Sequence, residues 1–362
     1  MTMTISADRR VDEAKVAAFA DQMAAGLNAG AVVVMTSIGH RAGLFDAMAD
    51  LPPATSGEIA HAAGLAERYV REWLAVMVTG GIVEHDPLAR TYALPPEHAA
   101  SLTRRAVPGN LAVYAQIVAM IGAVEDRVLA RFKDGAGLSY DDYPCFHRIM
   151  AEDSAQTVTA GLFDHILPLA DGLVDRLHRG IDVLDAGCGR GSALLAMAAR
   201  FPRSRFTGYD LCRDAIAFAD DAARAAGTGN ARFCVRDLTD FDESAAYDLV
   251  TSFDAVHDQK DPADLLRRLH RALRPDGTYL MQDIGGSSRL EDNRDFPMAP
   301  LLYAVSCAHC TPVSLGQGGR GLGTMWGWET AAAMLREAGF DPVRRHVLPH
   351  DPMNVWFVAA KG

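Results

Sequence analysis

The feature that most constrains this chain of 362 residues is a run of glycines that follows a short apolar segment. Residues Val183–Ala186 have the character of a buried strand, and Gly187, Gly189 and Gly191 come next at alternate positions. A helical segment begins directly afterwards, at Ser192. Glycine lets a backbone approach a ligand closely, and free amides at the start of a helix attract an anionic group. The pattern therefore predicts a strand, a turn and a helix that together hold a small ligand.

Segments on both sides of this turn alternate between strand and helix. The predicted strands are rich in β-branched residues and lie at 181–185, 205–210, 232–236, 249–253 and 279–284. The predicted helices between them include 193–200, 215–225 and 262–273. Such alternation is typical of a parallel sheet with helices on both faces. It stops over about 285–328, which we interpret as an insertion or a lid.

The first hundred residues have a different pattern, in which helices come first and a small hairpin follows. The predicted elements are helices over Val11–Leu27, Val32–Met48, 59–63 and Glu67–Val78, then short strands over 82–85 and 91–94. A capping-box sequence, Thr55 to Glu58, opens the third of these helices. Helix, turn, helix and a two-stranded wing together predict a winged-helix unit.

The charged residues distinguish between two possible functions of the winged-helix unit, DNA binding and dimerisation. The chain has 35 basic and 46 acidic residues, a formal charge of −11. The second helix of the predicted helix–turn–helix carries Glu67 and Glu72 beside Arg68 and Arg71, so its charges cancel. A DNA-reading helix needs an excess of basic side chains. We therefore expect a packing and dimerisation module and no nucleic-acid partner.

Compartment is predicted from what the sequence lacks. Residues 1–10 contain no apolar signal core, and no stretch approaches the roughly 20 continuous apolar residues of a membrane-spanning helix. Six cysteines are scattered apart from one close pair, as expected for free thiols. These patterns predict a cytoplasmic protein without a membrane partner.

The glycine turn resembles that of the class I S-adenosylmethionine-dependent methyltransferases. A dinucleotide fingerprint would need glycine at position 194, where this chain has leucine. The methyltransferase pattern D-x-G-x-G-x-G is intact, and further matches follow in order over about residues 160–362. With the winged-helix unit in front, the chain resembles plant-type and bacterial O-methyltransferases of small molecules.

The resemblance implies an α/β fold, with a Rossmann-like seven-stranded methyltransferase domain preceded by a mainly helical winged-helix domain. The expected parts are residues 1–104 for dimerisation, 105–178 as a helical connector that contributes to the substrate pocket, and 179–362 for cofactor binding. It also implies a homodimer formed through the N-terminal domain. The expected reaction is methyl transfer from S-adenosylmethionine to a small molecule, most simply at oxygen. Sulfur or nitrogen acceptors, and a regulator that only senses the cofactor, are the alternatives.

Carried over residue by residue, the resemblance implies a cofactor site at the ends of the first four predicted strands. Asp185 would lie near the amino group of the methionine part, Asp210 would bind the ribose hydroxyls, and Asp237 would receive the adenine amino group. The full set of expected cofactor residues is Asp185, Gly187, Cys188, Gly189, Gly191, Asp210, Leu211, Asp237, Leu238 and Phe253.

The catalytic and substrate residues follow less directly. An acceptor hydroxyl must lose its proton, and histidine suits that task near neutral pH. His257, after the fourth predicted strand, is the first candidate, with Asp258 as its orienting partner, and His309 competes with it. The expected substrate pocket comprises Phe146, Tyr303, Cys307, Cys310, Met325 and Trp326.

Two cysteines and a histidine also lie close together in the sequence at Cys307, His309 and Cys310. They are the residue types that bind zinc, but a tetrahedral site needs a fourth ligand and no second ligand pair has a suitable spacing. Only the fold could supply His257 or Asp258. The sequence therefore predicts no metal site, and it assigns these residues to the lining of the pocket.

Overall fold

A computed structural model describes residues 11–361, and the expectation about residues 1–10 lies outside the described part. The chain divides into two compact units. The first comprises the described residues up to Ala106 together with Asn110–Gln116, and the second comprises Val107–Gly109 and the residues from Ile117 onward.

Helices and a small hairpin build the first unit. The elements are α1 (Glu13–Arg41), α2 (Leu44–Ala49), α3 (Ser56–Ala63), α4 (Glu67–Thr79), β1 (Glu84–Asp86), β2 (Thr91–Ala93) and α5 (Pro96–Leu102). The capping box forms as predicted: Thr55 Oγ1 accepts from the Glu58 amide, and Glu58 Oε2 accepts from the Thr55 amide at 2.8 Å. Apolar side chains of α2, α3 and α4 form the core, with Phe45 packed edge-on against Trp73.

The break predicted at Gly30 does not occur, because α1 continues through it to Arg41, and the predicted helix Val32–Met48 is divided instead between α1 and α2. Gly30 lies on an exposed stretch of α1, where an added Cβ would meet nothing within 4 Å. The glycine therefore lowers the stability of the helix only through its low intrinsic helix propensity. Much of α1 is exposed, including large apolar side chains that recur at helical spacing: Val16, Phe19, Met23, Leu27, Val34 and Ile38. By length and composition alone, α1 is also apolar enough to cross a membrane, contrary to the sequence expectation.

The second unit contains ten helices and seven strands among the described residues. Its helices are α6 (Ala112–Ala123, which begins in the first unit), α7 (Glu125–Asp134), α8 (Phe146–Ser154), α9 (Leu173–Arg179), α10 (Ser192–Arg200), α11 (Arg213–Ala226), α12 (Pro262–Ala272), α13 (Ala299–Val305), α14 (Thr311–Gly316) and α15 (Trp328–Glu337). Its strands are β3 (Asp182–Ala186), β4 (Arg205–Asp210), β5 (Ala231–Val235), β6 (Tyr247–Phe253), β7 (Leu273–Ile284), β8 (Phe340–Leu348) and β9 (Asp351–Lys361).

The seven strands form one sheet in the order β5-β4-β3-β6-β7-β9-β8. Strands β3 to β7 are parallel, and β9 runs antiparallel to both β7 and β8. The chain moves outward from β3 to β5 and then returns to the other side of β3 with β6. The strand order thus reverses between β3 and β6, and in open α/β sheets ligands bind beyond the carboxyl ends of the strands at such a point.

Two apolar clusters cover the faces of this sheet, as the α/β expectation requires. One contains Phe206, Leu249 and Trp356, and the other contains Val250, Tyr279 and Phe357. The segment between β7 and α15, where the alternation stops, folds into α13, α14 and a single π-helical turn (Ser306–Cys310) between them.

Candidate functional site

An open cleft of about 1080 Å³, counting its solvent-filled mouth, lies at the carboxyl ends of β3, β4 and β6. All ten residues expected to bind the cofactor line it. The opposite side is lined by α8 and the segment before it, including Tyr140, Phe146 and His147. Sequence segments 185–193, 210–211 and 236–238 thus meet at one edge of the sheet.

The glycine turn requires glycine for two separate reasons. Gly187, Gly189 and Gly191 have φ of 82°, 53° and 72°, in the left-handed region that disfavours side chains. In addition, a Cβ at Gly187 would lie 2.5 Å from Ala255 Cβ, and one at Gly191 would lie 2.4 Å from Phe233. The turn is also held to β4, since the amides of Gly187 and Cys188 donate to the Tyr209 carbonyl at 2.8 and 3.0 Å.

Asp210 joins this turn to the end of β4. Its Oδ2 accepts from the Gly189 amide and its Oδ1 from the Cys212 amide, both at 2.8 Å. Each carboxylate oxygen has a second lone pair, so both can still accept hydroxyl donors from a ligand. The carboxylate therefore shapes the glycine turn and can also bind a sugar.

Asp185 lies at the end of β3 and is almost fully buried. Burial raises the pKa of this carboxyl group to about 7, a hydrogen bond from Thr251 Oγ1 at 2.8 Å opposes the rise, and the nearby Asp210 adds to it. A cationic ligand group would favour the ionised form.

Asp237 follows β5 and caps the short turn Leu238–Asp240. Its Oδ1 accepts from the amide and the hydroxyl of Thr239, at 2.8 and 2.7 Å. Leu238 is buried beside it, whereas Leu211 is 42 % exposed at the cleft. The cleft thus has one apolar wall and one acidic rim where the resemblance places the adenine.

Beyond β6 and β7 the structure buries a cluster of ionisable side chains. His257 Nδ1 lies 2.9 Å from Asp283 Oδ1, and His257 Nε2 lies 3.1 Å from Asp258 Oδ1. Burial by itself would lower the pKa of His257, but Asp283 and Asp258 raise it well above its ordinary value. Burial would likewise raise the pKa of Asp258, and His257 instead lowers it to about 2. Both ring nitrogens of His257 therefore face carboxylates.

His309 lies beside this cluster on the π-helical turn, stacked on Phe146 with ring centroids 4.3 Å apart. Its Nδ1 lies 4.0 Å from Asp258 Oδ2 and 3.6 Å from Cys310 Sγ, and its Nε2 is buried without a hydrogen-bond partner. Burial lowers the pKa of His309 to about 4, so the ring is neutral at pH 7.

Two protein-family models match the chain. Residues 30–104 match a Rv2258c-like winged helix–turn–helix domain, and residues 177–339 match a methyltransferase domain. The chain carries a winged helix–turn–helix domain and a methyltransferase domain. The cleft lies at the edge of the sheet of the methyltransferase domain.

Curated relatives match over part of the chain. The methyltransferase ungE' of Aspergillus campestris is 30 % identical over 189 residues, which are 48 % of this chain and 52 % of that protein. The trans-aconitate 2-methyltransferase of Variovorax paradoxus is 30 % identical over 125 residues, 34 % of this chain and 44 % of that protein. The match thus spans about half the length of each relative.

Solved structures share the fold over nearly the whole chain. Mitomycin 7-O-methyltransferase MmcR superposes with a TM-score of 0.68 at 18 % identity, covering 96 % of this chain and 100 % of that one. Human N-acetylserotonin methyltransferase, in complex with S-adenosylmethionine, gives a TM-score of 0.66 at 17 % identity, with 99 % and 100 % covered. The fold class predicted from the sequence is confirmed.

The residues at the cleft fit S-adenosylmethionine. Added side chains would clash with Ala255 at Gly187 and with Phe233 at Gly191, so the turn between β3 and α10 carries no side chain at either position. Acids stand at or just after the ends of three successive strands, at Asp185, Asp210 and Asp237, and their carboxylates can accept from an amino group, from ribose hydroxyls and from an adenine amine. The side chain of Cys188 packs against the sheet, because its Sγ lies over Gly208 of β4.

Several residues expected in the substrate pocket do not line this cleft. Trp326 lies in the core and donates from Nε1 to Asp283 at 3.0 Å, and Met325 packs with Ile284. Tyr303 accepts from Asn293 Nδ2 at 2.9 Å in the same small cluster as Met325. Cys307 is exposed, whereas Cys310 is buried beside His309. Of the expected set, Phe146 is the residue that lines the cleft.

Neither His257 nor His309 lines the cleft, although Asp258 does. Both histidines are buried behind Asp258, so the first candidate for the base is held by two carboxylates instead of facing an acceptor. Asp258 is indeed beside His257, but Asp283 makes the hydrogen bond that orients the ring.

Sequence reasoning missed three residues of the site. Asp283 is the penultimate residue of β7, Asp254 follows β6 in the left-handed region at φ 54°, and Tyr140 donates to Asp258 Oδ2 at 3.4 Å. The carboxyl end of a parallel strand is a general signal for functional side chains, and it would have pointed to Asp283 and Asp254. Nothing in the sequence near Tyr140 indicates that it meets residues more than a hundred positions away.

Proposed function

We propose that this protein transfers a methyl group from S-adenosylmethionine to a small-molecule acceptor, most simply at oxygen. The observation that carries the proposal is the bare glycine turn at the end of β3, followed by acids at the ends of β4 and β5, all lining one cleft. The winged helix–turn–helix domain beside a methyltransferase domain supports the same class.

The cofactor supplies an activated methyl group on a sulfonium, so the chain has to align the reactants and exclude water. The glycine turn holds the methionine part, Asp185 binds its amino group, and Asp210 binds the ribose. Phe253 and Leu211 contribute apolar surface at the cleft. The acceptor binds at the side of the cleft that Tyr140, Phe146 and Met150 form.

Calorimetry with S-adenosylmethionine and with S-adenosylhomocysteine tests the cofactor part. We expect saturable binding of both ligands by the wild-type protein. The acceptor part is tested with radiolabelled methyl donor and a panel of phenols, alcohols, thiols and amines. Absence of heat from either cofactor form would contradict the proposal, and label transfer only to nitrogen or sulfur compounds would contradict the oxygen acceptor.

We further propose that the first unit joins two copies of the chain through α1. Six large apolar side chains of α1 are exposed along nearly its whole length, and a second copy would cover them. The arginines of α4 are both paired with glutamates on the same helix, Arg68 with Glu72 and Arg71 with Glu67, so this helix has no excess positive charge for DNA. Light scattering should show a dimer at micromolar concentration, and Phe19→Asp with Met23→Asp should give monomers. A wild-type monomer would contradict the dimer.

A further inference from the structure

Asp254 is a carboxylate of the cleft to which the predicted cofactor site gives no role. It follows β6 directly, and its side chain is 24 % exposed, so it is partly open to the cleft that it lines. Its Oδ1 is buried without a hydrogen-bond partner. Buried polar atoms in native proteins are almost always paired, so this oxygen indicates a partner that a ligand supplies.

The backbone holds Asp254 in place between two parts of the site. Its amide donates to the carbonyl of Gln282 in β7 at 3.0 Å, and its φ of 54° lies in the left-handed region. The next residue, Ala255, packs so closely on the glycine turn that a Cβ at Gly187 would lie 2.5 Å from it. Left-handed residues other than glycine cost free energy and recur at functional sites, where the surrounding structure imposes them.

The charged neighbours of Asp254 belong to the acceptor side of the cleft. Burial raises the pKa of its carboxyl group to about 7, and His257 opposes this rise. Three carboxyl groups on the elements packed around it add to the rise: Asp283 of β7, Asp153 of α8 and Asp258 of the loop after β6. Because α8 also carries Phe146 and Met150, Asp254 faces the side of the cleft where the acceptor is expected.

Positive charge is scarce on this side. Among the described residues that line the cleft, the basic side chains are Arg190, Arg236 and His147. Arg190 stands in the glycine turn, Arg236 follows β5, and His147 lies 3.6 Å from an exposed aspartate of α11. His257 Nδ1 is 3.8 Å from Asp254, but both ring nitrogens of this histidine lie closer to other carboxylates. The acceptor side therefore has more carboxylates than cations.

Aromatic rings lie on the same side as these carboxylates. Tyr140 and Phe146 line the cleft with their ring centroids 5.4 Å apart. The face of an aromatic ring attracts a cation, and the attraction grows when water is excluded. A partly buried carboxylate near aromatic rings is therefore suited to an organic ammonium group.

We propose that the acceptor carries an ammonium group and that Asp254 binds it. The inference rests on the proposed function and specifies its substrate class, a hydroxyl compound that also contains a basic amine. A neutral acceptor would leave the buried oxygen without a partner, which lowers its affinity. An acceptor with its own carboxylate would be repelled by Asp254 and Asp258, so charge discriminates among acceptors of one shape.

Three phenols of similar shape and different charge test the proposal. They are tyramine, 4-ethylphenol and 3-(4-hydroxyphenyl)propionate, titrated by calorimetry into the full-length protein saturated with S-adenosylhomocysteine. We expect tyramine to bind about tenfold more tightly than 4-ethylphenol, and the propionate to bind most weakly. Equal binding of tyramine and 4-ethylphenol, including no binding of either, would overturn the proposal.

Asp254→Asn removes the charge and keeps the shape. Asparagine tolerates the left-handed region well, so the backbone after β6 should be retained. The variant should lose the tenfold preference for tyramine and keep the wild-type affinity for S-adenosylhomocysteine. Asp171→Asn, at an aspartate whose side chain is 92 % exposed, is the matched control and should keep the preference. A preference that survives in Asp254→Asn would overturn the assignment.

Proton release gives a readout that a purely structural role would not change. A bound ammonium group favours the ionised form of Asp254, so tyramine binding at pH 6 should release most of one proton per chain. Calorimetry in buffers of different ionisation enthalpy measures this release, and Asp254→Asn should show none. Equal proton release in the wild type and the variant would contradict the proposal.

The cofactor also carries positive charge, on its sulfonium, and a parallel titration separates this source. If Asp254→Asn weakened S-adenosylmethionine alone and left the tyramine preference unchanged, the carboxylate would serve the sulfonium and the proposal would be overturned. Wild-type protein that binds neither cofactor form contradicts the proposed function. Protein that binds both forms without preferring the amine contradicts only the present inference.

Discussion

The cleft and the side-chain cluster behind Asp258 are built in different ways. The cofactor side of the cleft consists largely of backbone, with three glycines and the acids at or just after the ends of β3, β4 and β5. The cluster consists of side chains from β7, the loop after β6 and the π-helical turn, and of these Asp258 lines the cleft. A backbone site can be encoded in one short motif, whereas a side-chain cluster needs segments that the fold brings together.

This difference implies different sensitivity to mutation. The cofactor side should fail when the turn loses its shape, because glycine is required there by φ and by space. The cluster side should keep its shape and lose chemistry when one side chain is removed.

The largest effect is expected at Gly187. Gly187→Val places a branched side chain at φ 82° and against Ala255, so we expect no measurable binding of S-adenosylmethionine by calorimetry. Gly189→Ala is the matched control, because its Cβ would meet nothing within 4 Å and it should cost about 1 kcal/mol of stability through the left-handed conformation alone. Wild-type affinity in Gly187→Val would show that the turn does not hold the cofactor.

His257→Ala should lower turnover by about 100-fold or more and leave cofactor affinity nearly unchanged. The reason is that His257 lies in the cluster and does not line the cofactor side. Turnover is measured with the acceptor identified in the panel, and His165→Ala, at an exposed histidine, serves as control. His309→Ala separates the two candidate bases. If turnover survives His257→Ala, this histidine has no part in the reaction.

Cofactor affinity should rise with pH through the titration of Asp185. Burial is the main cause that raises the pKa of this carboxyl group to about 7 in the protein without ligand. At pH 6 the carboxyl group is therefore mostly protonated. The cationic amino group of the cofactor needs the ionised form, and affinity should increase about tenfold from pH 6 to pH 8.

The raised pKa of Asp185 also determines whether the free energy of unfolding rises or falls with pH. The folded protein holds the Asp185 proton up to about pH 7 and the unfolded chain releases it near pH 4, so this group makes stability fall as pH rises between those values. Asp185→Asn should abolish both dependences and weaken binding at pH 8. An unchanged pH profile in this variant would exclude Asp185 as the source.

The smallest effect is expected at Leu211, which is 42 % exposed at the cleft. Leu211→Ala removes apolar surface from the part of the cleft where we expect the adenine, and we expect about three- to fivefold weaker binding of S-adenosylmethionine. Leu290→Ala, at a leucine that is 68 % exposed and does not line the cleft, should change nothing. Equal affinities in the two variants would remove Leu211 from the adenine site.

Strands and helices of the methyltransferase domain were predicted closely because each has a local pattern. The predicted strand 205–210 coincides with β4, and the predicted helix 193–200 differs from α10 by one residue. The errors arose where local signals conflict with packing. Gly30 was interpreted as a helix end, although α1 passes through it, and β7 begins at Leu273, before the apolar run that was recognised.

Side-chain positions were predicted unevenly for the same reason. Phe253 ends β6 and Leu238 lies shortly after β5, strands whose ends are visible in the sequence, and both residues line the cleft. Met325 and Trp326 follow no such strand end, and the fold places them in apolar clusters instead of the pocket. An aromatic or sulfur-containing side chain carries no local sign of which neighbour it will meet.

The sequence by itself determined the α/β sheet, the glycine turn and the acids at its edge, because strand, turn and helix are encoded within a few consecutive residues. Only the tertiary structure decided that Cys310 lies beside His257 and Asp258, more than fifty positions earlier in the chain. Packing of the π-helical turn against the loop after β6 sets that encounter, and such long-range packing depends on the whole fold instead of any one segment.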